Sequence, residues 1–195
     1  MAGLIRGVGF ALMFTLLTAC GINDIPTNDE AVNAAWGQVE NQYQRRADLV
    51  PNLVNTVKGF ATQERETLTA VVEARAKVSQ MNISSDIIND PSALAAFEKN
   101  QSALSSALSR LMVVVERYPD LKSNQNFLRL QAQLEGTENR ISVARRDFIL
   151  SVQVYNTEIR TFPGRLWHSF MYSDLPIRET FEAREGSEDA PVVEF

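Results

Sequence analysis

Cysteine and histidine are almost missing from this sequence: 195 residues hold one of each, Cys20 and His168. A single thiol excludes an internal disulfide and any zinc site built on several thiolates. A single imidazole excludes the clustered histidines of most catalytic metal centres. The residue three before His168 is Arg165, so the Glu-x-x-His pairs of di-iron bundles are absent. No Cys-x-x-Cys-His offers a place for a c-type haem, and no Gly-x-Ser-x-Gly or Ser-x-x-Lys marks a serine nucleophile. No cofactor and no metal are expected. His168, beside Trp167 and Phe170, is expected to pack near a helix end rather than act as a base. Basic residues are outnumbered, 19 against 24 acidic ones, for a net charge of -5. They are also spread along the chain, which excludes a basic field for nucleic acid. Strand alternation of any length is lacking, as is a clean repeat of about 20–50 residues.

Long hydrophobic runs are lacking too. The apolar run at 8–17 has about ten residues, which suits a secretory leader and falls short of the ~20 a spanning helix needs. Arg6 supplies a weak positive n-region. Leu17-Thr18-Ala19-Cys20 resembles the bacterial lipobox, where a leader is cut just before a cysteine. Residues 1–19 are therefore expected to be a lipoprotein signal peptide and Cys20 the lipidation site. Its sulfur is nucleophilic enough to take a diacylglyceryl group as a thioether. Two or three acyl chains then hold the protein far more firmly than one. The expected location is membrane-anchored and extracytoplasmic, on the periplasmic side. Gly21 after the cysteine, in place of Asp, favours the outer membrane if the cell is Gram-negative. The competing reading is a buried structural cysteine after an uncleaved helix.

What is present is helical periodicity. Residues 20–28 carry Gly, Pro, Asn, Asp and Thr without period and read as a tether. Val32, Trp36, Val39, Tyr43, Val50, Leu53, Val57 and Phe60 then recur at steps of three and four, with Arg46 interrupting. Leu68, Val71, Val78 and Met81 resume the stripe after Glu64. Such spacing keeps one face of an α-helix apolar. A continuous helix over 29–82 would be roughly 75–80 Å long. Pro51 removes a backbone donor inside it and predicts a kink. Two helices with a break are the alternative, but the apolar phase survives the proline and favours one. Residues 82–91 read as a loop, with Asp90 as cap and Pro91 as first helical residue. A second stripe runs Leu94, Phe97, Leu104, Leu108, Leu111, Val115, Tyr118, with Gln101 in its one gap. A third opens at Pro119-Asp120 and runs from Phe127 through Leu134, Ile141, Phe148 and Tyr155 to Ile159. Residues 161–164 end it, and Leu166, Trp167, Phe170 and Met171 predict a short final helix. The expected fold is all-α: an antiparallel bundle over 29–178 with one very long, Pro-kinked first helix, two further long helices and a short C-terminal one. Residues 179–195, with six acids and one arginine, read as an acidic extended tail whose Phe181 and last apolar residues are free to dock on the bundle.

Polar residues inside apolar stripes are the candidate sites. Arg46 and Glu64 read either as a buried base and acid or as a polar layer that fixes helix register, and the layer is favoured. Arg45, Arg46 and Asp48 form a candidate cluster near Pro51, either a clamp for an anionic ligand or, the favoured reading, intra-bundle ion pairs flanking the kink.

The stretch Tyr43-Gln44-Arg45-Arg46-Ala47-Asp48-Leu49-Val50-Pro51-Asn52-Leu53-Val54 resembles the signature of the LemA family. Val57-Lys58-Gly59-Phe60 and Glu73-Ala74-Arg75 are similar to later motifs of that family, as are Leu134-Glu135-Gly136-Thr137-Glu138-Asn139-Arg140-Ile141, Tyr155-Asn156 and Phe162-Pro163-Gly164. The resemblance covers nearly the whole mature chain. It implies an all-helical bundle with a long first helix at the bacterial envelope and implies no reaction. Many members look anchored by an uncleaved apolar helix, whereas this chain has a short run ending in a lipobox. The functional expectation is a lipid-anchored binding or scaffold module without catalytic activity, whose partner is an envelope protein or a second copy. A small-molecule or anionic-ligand carrier, or an enzyme, at Arg45, Arg46 and Asp48 is the alternative.

Overall fold

Every regular element is helical, as the three-and-four spacing predicts, and no strand occurs among the described residues. The computed structural model describes residues 21–81 and 85–181; the expected leader, Cys20 and residues 182–195 of the expected tail lie outside them. The elements are α1 (Asp24–Lys58), α2 (Arg65–Ser79), a 3-10 turn (Ser85–Asn89), α3 (Pro91–Val115), α4 (Pro119–Lys122), α5 (Gln125–Glu158) and α6 (Gly164–Met171).

The 35 residues of α1 make it about 52 Å long. It starts at Asp24, inside the stretch read as a tether. Ile25 is fully buried there, and Asp24 sits in the first turn, where the helix dipole favours an acid. The expected continuous helix over 29–82 is instead two helices. α1 ends at Lys58, and α2 folds back on it. Magnitudes explain the break. A straight helix would carry Leu68, Val71 and Val78 past the end of the bundle, whereas the turn buries all three against Val50, Leu53 and Val57. Each such side chain gains about 1.5–3 kcal/mol, more than the few intrahelical hydrogen bonds lost at about 1 kcal/mol each. Glu64 lies in this turn. It accepts hydrogen bonds from Tyr118 Oη (2.9 Å) and Arg117 (3.0 Å), tying the turn to the end of α3.

Pro51 lies inside α1, and its missing N–H leaves the Ala47 carbonyl without its helical partner. Arg75 of α2 supplies the substitute, its Nε donating to Ala47 O at 3.0 Å. The helix break and the proline are thus coupled: only a helix that turns back places Arg75 there. Arg75→Ala is expected to cost about 1–2 kcal/mol by leaving that carbonyl unpaired. In a Pro51→Ala background, where residue 51 again donates to Ala47, the cost is expected to fall toward zero. Urea titrations of the four proteins measure it, and equal costs in both backgrounds would reject the coupling.

Asp90 caps α3 as expected, accepting from Ser92 N (2.8 Å) and Ala93 N (3.3 Å), with Pro91 first in the helix. The Ser92 hydroxyl, with both amides, holds the Asp90 carboxyl below its usual pKa. The third long helix starts at Gln125 rather than Pro119. Asn124 is extended and caps it, accepting from Asn126 N and Phe127 N at 2.9 and 3.2 Å, so Pro119–Lys122 is a separate turn.

The first helix pairs along the third: α5 runs antiparallel to α1, with Trp36 against Phe148 and Tyr43 against Arg145. α2 fills the fourth position of the bundle at one end only. At the other end the 3-10 turn and the chain after α6 take that place. Glu179 N donates to Ile88 O (3.0 Å), and Asn156 pairs with both the carbonyl and the amide of Arg178 (2.9 and 3.0 Å). Tyr155 Oη donates to Pro176 O (2.9 Å). Burial, reinforced by the Asp29 charge, pushes that hydroxyl up to about 12. Arg178 bonds Asn89 and, through Nε at 2.9 Å, Asp29. Phe181 is buried against Trp36 and Phe148.

Candidate functional site

Two apolar cores result, one from Val50 to Leu134 around α2 and one from Ile25 to Phe181 around Trp36. Between them lies a polar waist. Arg46 of α1, Gln101 of α3 and Thr137 of α5 are all buried there, each at a position where its helix would otherwise carry an apolar residue. Arg46 is the hub. Its Nη1 donates to Ser105 Oγ (2.8 Å) and Glu138 Oε1 (3.0 Å); its Nη2 donates to Gln101 O (3.3 Å) and Gln101 Oε1. Its guanidinium carbon also stands 5.0 Å from the Tyr43 ring centre. Next to it Arg145 donates to Tyr43 Oη (3.1 Å) and Glu98 Oε1 (2.8 Å) and lies 3.7 Å from the Phe181 ring centre. Burial works against the Arg145 charge, but Tyr43 and Glu98 outweigh it and hold its pKa above the ordinary value.

A cleft of about 410 Å³ opens over the waist between α3 and α5. Its floor is Tyr43 and Arg46, and Lys99, Ser102 and Ser142 stand on its walls with Glu98, Glu138 and Arg145. Three cations face two carboxylates, and most are already paired with each other. Among the described residues Arg46 Nε and Gln101 Nε2 find no acceptor, and both atoms are buried. The arrangement offers a weakly cationic polar surface. No group of three or more His, Cys, Asp or Glu able to hold a metal ion occurs among the described residues.

The structure separates the cluster singled out from the sequence. Arg46 is buried at the waist, while Arg45 and Asp48 are exposed, Asp48 accepting from Gln44 Nε2 at 2.8 Å. Glu64 is far from Arg46, in the α1–α2 turn, so the two do not form one layer. Cys20 lies outside the described residues. The Nε2 atom of His168 donates to Leu175 O at 2.9 Å, which pins the chain after α6 to that helix. Gln101 was legible as a polar gap in an apolar stripe, and the step of seven from Leu134 to Ile141 marks Thr137 in the same way. Glu98, Lys99, Glu138 and Arg145 carry no such mark, since a charged residue beside a stripe is the usual solvated helix flank.

The LemA family model matches residues 35–195. Magnetosome protein MamQ 2 of Paramagnetospirillum magneticum is 24% identical over 187 residues, 88% of this chain and 68% of the relative. Protein LemA of Metamycoplasma hominis is 22% identical over 140 residues, 72% of this chain and 60% of the relative. Magnetosome protein MamQ of Magnetospirillum gryphiswaldense is 26% identical over 157 residues, 72% of this chain and 58% of its own length. This chain therefore spans roughly three fifths to two thirds of its relatives. Among the described residues no helix is long and apolar enough to cross a membrane.

Proposed function

This chain belongs to the LemA family, and from that membership we propose that it is a binding module of the cell envelope, lipid-anchored through Cys20 and without catalytic activity. The lipobox and the relatives named for the magnetosome support the membrane setting. The observation that carries the binding role is on α5. Its inner face is fully used, yet Val143, Leu150 and Val154 lie about half-exposed on the opposite face. Steps of seven and four put these three on one stripe, the pattern a helix presents to a second helix. The partner is an envelope protein or another copy, and acyl anchoring of both raises their local concentration. A carrier for a small anion at the waist is the weaker reading. Arg46 makes four hydrogen bonds within the protein, and Arg45 and Asp48 face away from it.

A photo-cross-linking residue at Leu150 of the anchored chain, expressed in cells, is expected to give one discrete adduct. The same residue at Ser106, an exposed polar site on α3, is expected to give none. An adduct of twice the chain mass identifies self-association. Equal capture at both sites, or none at either, refutes a specific α5 interface.

A further inference from the structure

The end of the bundle that carries Gly21 is also its most apolar exposed end. Gly21 has φ +85, a conformation side chains rarely adopt, and a methyl group on its α-carbon would come within 3.8 Å of Pro163 Cγ. Gly21, the residue after Cys20, therefore stands beside the 162–164 turn. Gly164 locks that turn to the end of α5: a Cβ there would fall 2.3 Å from Glu158 O. Beyond it α6 turns its apolar side outward. Phe162 is 79% exposed and Phe170 81% exposed, with Leu166 and Met171 about half-exposed. Leu166 and Phe170, four residues apart, share one side of α6, and Phe162 lies just before it in the turn. Residues 159–173 contain Arg160, Arg165 and His168 and no acid, in a chain whose net charge is -5.

We propose that Phe162, Leu166, Phe170 and Met171 form a membrane-contacting face that enters the headgroup layer of an anionic bilayer beside the Cys20 anchor. This rests on the anchoring read from Cys20, because the anchor places this end, and no other, at the lipid. The occupant is the bilayer rather than a protein for two reasons. A single peptide bond joins Gly21 to the acylated cysteine, so the patch is held close to the surface whatever else binds. Arg160 and Arg165, the charged residues within 159–173, also suit headgroup phosphates, with Glu158 and Asp174 flanking them. Trp167 and Tyr172 are half-buried against the core around Trp36 and hold this face in place on the bundle. Contact at a second point fixes the tilt of the bundle, so that α5 and its exposed stripe take a set orientation above the surface instead of swinging on a tether.

The test uses the full acylated chain reconstituted into vesicles of phosphatidylcholine with phosphatidylglycerol. Ser169→Cys on α6 or Ser106→Cys on α3 carries an environment-sensitive fluorophore. The label at 169 is expected to shift to the blue and to lose most of its emission to brominated lipids; the label at 106 is expected to do neither. Arg160→Gln with Arg165→Gln is expected to weaken quenching at 169 in the anionic vesicles while the chain still floats with them. A chain that floats with vesicles but keeps 169 in water overturns the proposal and leaves the anchor standing. A chain that does not float overturns both. Quenching at 169 that disappears as dimers are diluted out assigns the face to a second copy and also overturns it.

Discussion

Trp36→Ala is expected to lower unfolding stability by about 4–5 kcal/mol, the upper part of the range for removing a buried aromatic side chain. Trp36 is 1% exposed and meets three rings: Phe97 at 5.5 Å, Phe148 at 5.3 Å and Phe181 at 6.0 Å between centroids. The first two contacts are edge-to-face, each worth roughly 0.5–1.5 kcal/mol beyond area burial. The four rings come from α1, α3, α5 and the chain after α6, so no single element can move in to refill the space. A domain of this size is commonly stable by only about 5–15 kcal/mol, so the variant loses from about a third to nearly all of its stability. Phe181 loses its principal neighbour, and the segment 172–181 is expected to become sensitive to protease before the helices melt. Trp36→Phe keeps most of the ring contact. The Trp36 indole N–H has no acceptor among the described residues, so this variant is expected to cost less than about 1.5 kcal/mol. Urea unfolding followed by circular dichroism measures all three proteins. A loss below about 1 kcal/mol for the alanine variant would mean that the aromatic cluster does not hold the two ends of the chain together.

The difference between what was legible in the sequence and what was not arises from the physics of each signal. Periodicity reports which face of a helix is apolar, and Val32 to Val57, Leu94 to Val115 and Phe127 to Tyr155 lie buried on the faces it indicates. It does not report whether two in-phase segments are collinear or folded back. The stripe from Val50 through Val78 keeps its phase across Gly59 because both halves pack on one core, and that continuity favoured a single helix wrongly. The start of α5 at Gln125 turned on one cap, Asn124, which competes with the stronger-looking Pro119 signal. Local caps, as at Asp90, are readable because donor and acceptor are three residues apart or fewer. Arg46 to Glu138 and Arg75 to Ala47 join residues 92 and 28 positions apart; one sequence carries no measure of those separations. The waist was half visible, as the polar interruptions Arg46 and Gln101, while the cluster of Arg45, Arg46 and Asp48 took sequence adjacency for proximity. Neighbours on a helix point about 100° apart, so three charged residues this close in sequence cannot share one narrow site.

Arg46→Ala, with Arg45→Ala and Asp48→Ala as its controls, separates a register-setting waist from a ligand clamp. Removing one partner of a buried ion pair costs about 3–5 kcal/mol. The Arg46 side chain is 2% exposed but Glu138 is 42% exposed, so Glu138 can return to water and the lower end, about 3 kcal/mol, is expected. Most of that loss comes from the buried Gln101 acceptors left unpaired and from the space above Tyr43. Arg45→Ala and Asp48→Ala are expected to stay within about 0.5 kcal/mol of the parent, as exposed sites do. The more telling variant replaces Arg46 and Gln101 together by leucine. It removes the Gln101 side-chain acceptor along with the donor, leaves Ser105 and Glu138 on the cleft wall, and joins the two apolar cores, so much of the lost stability is expected to return. What should not return is uniqueness. The stripes of α1 and α5 repeat at heptad-like spacing, and the polar layer penalises a slide of one against the other. The double variant is therefore expected to show a cooperative melt near that of the parent, together with multiple amide resonances for residues around Tyr43 and Ile141. A single sharp set of resonances would mean that apolar packing alone sets the register. The buried arginine would then need a different reason to be there, and the cleft above it would be the place to look.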